Sequence, residues 1–293
     1  MHMKIKTHPP FSLPAVIRSH GWAGLAPFQT NEDRDQLQYI DRLASGRVVK
    51  LIIRQQGQLI DVDVDSLPDP DQQPEIKDHV TWMLGLKQDF SDFYDRVRGH
   101  PKLSHVIEHR KGRILRSPRM FEDVVKTILT TNTSWSGTVR MVRSLVDEYG
   151  DPVPYDPESR AFPRPDQLAQ ASEEDLRGVG LGYRAPYIKT LAEAVNAGEL
   201  DVEAMKTSNL PTDVLRKKLL AINGVGDYAA ANLLMLMERY DYLPVDSWAR
   251  KMVSEEWYEG EPVGKEEVLG AFEKWDQWKG LIYWFWDWSS SDS

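Results

Sequence analysis

The chain has 293 residues, 41% of them apolar, and a formal net charge of -9. That composition builds a globular protein of one large or two ordinary domains and excludes a disordered chain. It contains no cysteine, which rules out disulfides, thiolate zinc sites, iron–sulfur clusters and cysteine nucleophiles.

No apolar run reaches membrane-span length and the start, MHMKIKTHPPF, lacks an apolar secretory segment, so a cytoplasmic protein with no membrane partner is the expectation (nucleoid-associated if prokaryotic). Read in chain order, the first hundred residues are strand-rich. Residues Leu37–Leu43, Val48–Gln55 and Leu59–Val64 alternate or are β-branched, with Gly46 and Gly57 between them. An acidic loop with Pro68, Pro70 and Pro74 closes this part. Residues 61–92 hold nine acids and two lysines, whereas residues 96–119 hold eight Lys/Arg and one acid, Glu108. A ligand feels the local field, since charges beyond about 8 Å are screened at physiological salt. The basic run is therefore either a solvated face or a phosphate-facing one.

Helical patterns follow: Glu75–Leu86, Asp89–Arg98, Pro118–Thr130 with Ser117 as N-cap, Thr138–Tyr149, Tyr183–Ala197, Thr212–Leu220, Asp227–Glu238, Asp246–Trp257, Lys265–Trp275 and Leu281–Trp288. Strands first and helices after predict an α+β fold: an N-terminal antiparallel β-sheet domain over residues 1–112, then an all-helical body over 113–293. GVGLGYRAPYI (Gly178–Ile188) echoes GVGDYAAANLL (Gly224–Leu234). Both are turns between helices. Neither follows a strand, which argues against a dinucleotide-binding loop.

The second turn joins two helices into a hairpin. Its glycines allow positive φ or close backbone approach, and the following helix presents free N–H groups to an anion. Asn223, Gly224, Val225 and Gly226 are the candidate main-chain phosphate contacts, with an ordinary packed helical corner as the alternative. Asp246 follows Pro244 and Val245 at the start of a helix. It is either a helix cap or a carboxylate placed to stabilise a developing positive charge.

Leu220, Gly224-Val225-Gly226 and, about twenty residues on, Pro244-Val245-Asp246 together resemble the helix–hairpin–helix (HhH-GPD) DNA glycosylase superfamily. The likeness extends to RILRSPRMFEDVVKTILTTNTSW (Arg113–Trp135) and FPRPDQLAQASEEDLRGVGLGYRAPYI (Phe162–Ile188), similar to 8-oxoguanine glycosylases. The strand-rich start fits the sheet domain shared with the 3-methyladenine branch. The resemblance implies a monomer that flips a damaged nucleotide from duplex DNA and cuts its N-glycosidic bond, with Asp246 as the catalytic carboxylate. Members that also nick the strand carry a lysine two residues after the second hairpin glycine. Here that residue is Tyr228, so the resemblance implies a monofunctional enzyme that uses water, with Tyr228 lining the base pocket or merely packing.

By the same resemblance, Asn132 fills the gap left by the flipped base, or ends a helix. Tyr183 and Arg184 wedge beside and read the opposite base, with a core role as the alternative for Tyr183. The carbonyls of Leu220, Ile222 and Gly224 hold a monovalent cation, Na+ or K+; no other cofactor is required. Six of the ten tryptophans lie at or after Trp257. They pack the C-terminal helix or line an aromatic pocket, and such a pocket favours a cationic alkylated purine. Excision of 8-oxoguanine is the alternative, and a non-catalytic lesion-binding module is the alternative of another class. HVIEH (His105–His109) matches a zinc peptidase pattern, but Arg110, Lys111 and Arg113 disfavour a dication there.

Overall fold

The computed structural model describes residues 1–65 and 70–288, so part of the acidic loop, with Pro68, lies outside the described residues. The chain forms two compact units. The first comprises Met1–Gln88, Arg113–Ser208 and Ile222–Gly224; the second comprises Asp89–Gly112, Asn209–Ala221 and Val225–Ser293. These units divide the chain by compactness. The strands of the large sheet end at Val64 and the next α-helix begins at Gln73.

In the first unit, β1 (His2–Lys6), β2 (Phe28–Thr30), β3 (Gln36–Arg42), β4 (Val48–Gln56) and β5 (Leu59–Val64) form one antiparallel sheet of order β1-β5-β4-β3-β2. The three longer strands lie within a residue of the ranges their alternation predicts. The reversals at Gly46 and Gly57 have φ of 85° and 60°, a region that glycine enters without steric cost. Along β4, Val49, Leu51 and Ile53 are fully buried, as alternation on a half-buried sheet requires.

The helix Met120–Thr130 is buried along nearly its whole length, including Glu122, Asp123 and Lys126. These charges are buried because each is matched. Lys126 donates to Glu122 at 2.6 Å, Tyr39 of β3 donates to the other Glu122 oxygen at 2.7 Å, and Trp22 donates to Asp123 at 2.7 Å. Ser117 is not the N-cap expected for this helix. Arg119 holds that position, while the Ser117 N–H donates to the Asp123 carboxylate. A ribbon of Pro152–Val153 and Asp156–Arg160 adds two short strands to the helical half. The basic run is also less solvated than expected. Arg113 and Arg116 are buried. Arg113 donates to the carbonyls of His8, Pro10, Gly85 and Gln88, and Arg116 lies over Trp82.

The second unit is helical: Ser91–Val97, Ser104–Glu108, Thr212–Leu220, Asp227–Leu236, Ser247–Trp257, Lys265–Glu273 and Lys279–Phe285. Its core is aromatic. Trp275, Trp278 and Trp286 are buried, and Trp278 stacks on Tyr240 with centroids 5.6 Å apart. Gly280 packs so tightly on the Tyr242 carbonyl that a Cβ there would lie 2.2 Å from it. The zinc pattern is absorbed locally: His105 pairs with the Phe285 carbonyl at 2.9 Å and with Lys111 at 2.9 Å. Among the described residues no group of three potential metal ligands exists, and no helix is long and apolar enough to cross a membrane.

The two hairpin glycines do different work. Gly224 has φ of 87°, and a Cβ there would lie 2.8 Å from the Tyr187 ring. Gly226 is the N-cap of Asp227–Leu236 at φ -94°, and a Cβ there would meet nothing. Gly224→Ala is expected to cost about 2–3 kcal/mol, and Gly226→Ala, which loses only an N-cap preference, about 0.5–1 kcal/mol, in urea unfolding. Equal costs would contradict this assignment.

Burial also sets opposing titrations in the first unit. It pushes the Asp123 carboxyl up from 3.8 to about 6, and His20 down from 6.5 to about 4. Between pH 4 and 6 the folded state holds the Asp123 proton that the unfolded chain releases, so Asp123 stabilises the fold less as pH rises. Over nearly the same span the unfolded chain protonates His20 and the folded state does not, so His20 penalises the fold less as pH rises. Asp123→Asn keeps an acceptor oxygen and removes the Asp123 titration. The stability of the variant relative to the parent should therefore grow by roughly 3 kcal/mol between pH 4 and 7, read by urea unfolding at each pH. A constant difference would contradict it.

Candidate active site

The hairpin presents the open end of a helix. Gly226 supplies no side-chain cap to Asp227–Leu236, so the first N–H groups stay available to an anion. Asp227 sits at this end and is paired to Arg216. Asn223 and Gly226 are exposed, whereas Ile222 and Val225 are buried and anchor the turn.

Asp246 is reached through the buried Leu243 and the half-buried Pro244 and Val245. It caps Ser247–Trp257: its Oδ1 accepts the Ala249 N–H at 2.7 Å. The side chain is half-buried and lines a cavity of about 290 Å³, at the small end of ligand pockets. The carboxylate is thus both the cap of Ser247–Trp257 and part of the cavity wall.

Tyr228, Ala231, Asn232 and Met235 form one wall, at helical spacing along Asp227–Leu236. Tyr240, Trp248, Tyr283 and Trp288 form much of the rest. Three of these rings meet in a corner. The centroid distances are 5.7 Å for Trp248–Tyr283, 5.4 Å for Trp248–Trp288 and 5.7 Å for Tyr283–Trp288, with interplanar angles of 70–83°. Burial pushes the Tyr283 hydroxyl well up, and the nearby Asp246 carboxylate and Tyr228 push it further. The hydroxyl therefore stays protonated beside the carboxylate. Of the described lining residues, Arg239 and Asp246 carry charge, and none is a lysine. Lys217 and Lys218 are exposed on Thr212–Leu220.

The wall residues Trp248, Tyr283 and Met235 were not among the candidate residues. One signal was available, because residues 228, 232 and 235 fall on a single helical stripe ending at the hairpin. Trp288 belongs to the C-terminal tryptophans expected to pack a helix or line a pocket, and it lines this cavity; no local pattern marks Tyr283.

The first unit gathers the other candidates. Asn132 is exposed at φ 47°, one residue beyond the Thr131 C-cap of Met120–Thr130. Tyr183 is also exposed, and its hydroxyl donates to the Thr131 carbonyl at 3.4 Å. Arg184 is buried, lies against the Tyr183 ring, and donates to the carbonyls of Thr131 and Asn132. In this conformation Arg184 secures the loop that carries Asn132 and presents no free guanidinium edge.

The family description "HhH-GPD superfamily base excision DNA repair protein" matches residues 125–277, just over half of the chain. Among curated proteins, a probable N-glycosylase/DNA lyase of Methanothermobacter thermautotrophicus is 27% identical over 207 residues, 62% of this chain and 64% of that protein. An Arabidopsis thaliana N-glycosylase/DNA lyase is 28% identical over 181 residues, 59% of this chain. The chain thus matches 64% and 47% of these relatives' lengths. Among solved structures, the 3-methyladenine DNA glycosylase of Archaeoglobus fulgidus superposes with a TM-score of 0.77 at 19% identity, covering 97% of both chains. The Clostridium acetobutylicum 8-oxoguanine glycosylase/lyase superposes at 0.76 and 21% identity, covering 98% of this chain and 95% of that one. These likenesses concern the fold, and with the sequence match they place the chain in the HhH-GPD superfamily of base excision DNA repair proteins.

Proposed function

We propose that this chain is a monofunctional DNA glycosylase that hydrolyses the N-glycosidic bond of an alkylated purine in duplex DNA. One observation carries the reading: a half-buried carboxylate, Asp246, stands at the wall of an aromatic cavity whose described lining contains no lysine. The open N-terminus of Asp227–Leu236 holds a phosphate. The extruded base enters the cavity and stacks on Tyr228 and the Trp248–Tyr283–Trp288 corner. A purine that alkylation has made cationic gains from the ring quadrupoles. As the glycosidic bond breaks, positive charge grows on the sugar. The Asp246 oxygen not used by the cap stabilises that charge and orients water. Asn132 fills the vacated space, Tyr183 faces the opposite base, and Arg184 positions the loop. The turn carbonyls of Leu220, Ile222 and Gly224 are proposed to hold a monovalent cation beside the phosphate. The chain acts as a monomer on damaged double-stranded DNA.

The names of the curated relatives include lyase activity, which makes a strand-nicking enzyme the competing reading. Tyr228, at the position where the resemblance calls for a lysine, separates the two. A pure lesion binder has no use for a carboxylate in the cavity.

Incubation with duplexes carrying 3-methyladenine, 7-methylguanine, hypoxanthine or 8-oxoguanine, followed by alkali, tests the reading. Strand breaks are expected only after alkali, and chiefly on the alkylated bases. Breaks before alkali, or a covalent adduct trapped by borohydride, would replace the monofunctional reading with a lyase. Release of 8-oxoguanine alone would overturn the substrate class.

Asp246→Asn retains the cap, since Asn caps helices as well as Asp does. It should fold and bind DNA normally while base release falls by about 10² to 10³. Full activity in this variant would remove Asp246 from the chemistry.

A further inference from the structure

The loop that carries Asn132 leads into the helix Trp135–Tyr149, and the chemistry above gives its first residue no role. Trp135 is 47% exposed. The ring is not loose. Its edge lies on Gly21 so closely that a Cβ there would stand 2.1 Å from the ring, and the ring reaches Gly24 at 3.9 Å by the same measure. These glycines bound the turn Gly21–Gly24, which is fastened inward by the Trp22–Asp123 hydrogen bond. On the other side, Ser134 accepts the Gly137 N–H at 3.2 Å and Thr138 donates to the Leu129 carbonyl at 3.2 Å. The ring is therefore fixed along its outer edge and still about half exposed. Ser136, Arg140 and Arg143 continue the exposed surface along one face of the helix, at the spacing of successive turns; Arg143 also pairs with Asp147 at 3.8 Å, about half exposed, where a phosphate can compete for it.

A fixed, half-exposed aromatic ring beside a polar and basic helix face suits a nucleic-acid strand. The cations meet phosphates, and the ring meets a base or sugar whatever its identity. Resting on the glycosylase reading, we infer that Trp135 is a stacking platform for a nucleotide of the duplex next to the one whose place Asn132 fills. It is a DNA contact outside the base cavity. Gly21 is its positioning residue: any side chain there displaces the ring.

The test is fluorescence anisotropy of the full chain on a labelled duplex containing a tetrahydrofuran abasic site, with thermal melting alongside. Trp135→Ala should weaken binding about tenfold or more. Trp135→Phe, which keeps a flat ring, should stay within about threefold. Gly21→Ala, which keeps the tryptophan and moves it, should weaken binding like Trp135→Ala, and the double variant should be no weaker than either. If Trp135→Ala does not fold, Trp135→Leu retains apolar packing without a stacking face and should show the same loss. Normal binding by Trp135→Ala or Trp135→Leu, with the parent protein binding tightly, would overturn the inference and leave the glycosylase reading standing. No binding by the parent protein would remove both.

Discussion

The site depends on one hydrogen bond, from the Ala249 N–H to Oδ1 of Asp246. A side chain with two carboxylate oxygens can cap a helix with one and face a ligand with the other. The cap fixes its orientation, and the apolar approach through Leu243, Pro244 and Val245 limits its water. Preorganisation of this kind makes a carboxylate effective toward a charge that forms only during reaction, because no reorientation is needed at that moment. The same bond orients the first turn of Ser247–Trp257, where Trp248 forms part of the cavity wall. In the proposed reaction, stability and chemistry share one contact.

The cavity poses a trade-off. Aromatic walls hold a flat base well but leave a carboxylate poorly solvated beside them. Its half-exposed position moderates that cost, and the protonated Tyr283 hydroxyl adds no second negative charge. The hairpin divides its tasks between two glycines. Gly224 takes a backbone conformation that other residues resist, and Gly226 keeps the helix end open. Flanking side chains do the anchoring: Ile222 and Val225 are buried on either side of Gly224.

Local order made much of this legible in the sequence. The hairpin, the helix start at Asp246 and the strands β3 to β5 are written in contiguous residues whose periodicity is strong. The strands β1 and β2 were missed because they are edge strands of five and three residues, too short for alternation to stand out. The cavity wall was only half readable. Tyr228, Asn232 and Met235 share a helical stripe and Trp288 belongs to the C-terminal tryptophan cluster, but Trp248 and Tyr283 join them through tertiary packing that no local pattern encodes. Charge misled in one place: Arg113 and Arg116 read as surface cations, yet both are buried, Arg113 against backbone carbonyls and Arg116 over an aromatic ring. Composition reports that a cation is present and says nothing of where its head points. Ser117 misled for a related reason. Its type suits a cap, but its own N–H is held by Asp123 and the helix begins three residues later.

The central claim is that the Asp246 carboxylate faces a sugar carbon that becomes positively charged. The most direct measurement compares the affinity of the chain for two duplexes, one with a neutral tetrahydrofuran abasic site and one with a cationic pyrrolidine ring at the same position. The parent protein should prefer the cationic ring by roughly 100-fold, and Asp246→Asn should lose that preference while binding the neutral duplex as before. Equal affinity of the parent protein for both duplexes, or an undiminished preference in Asp246→Asn, would contradict it.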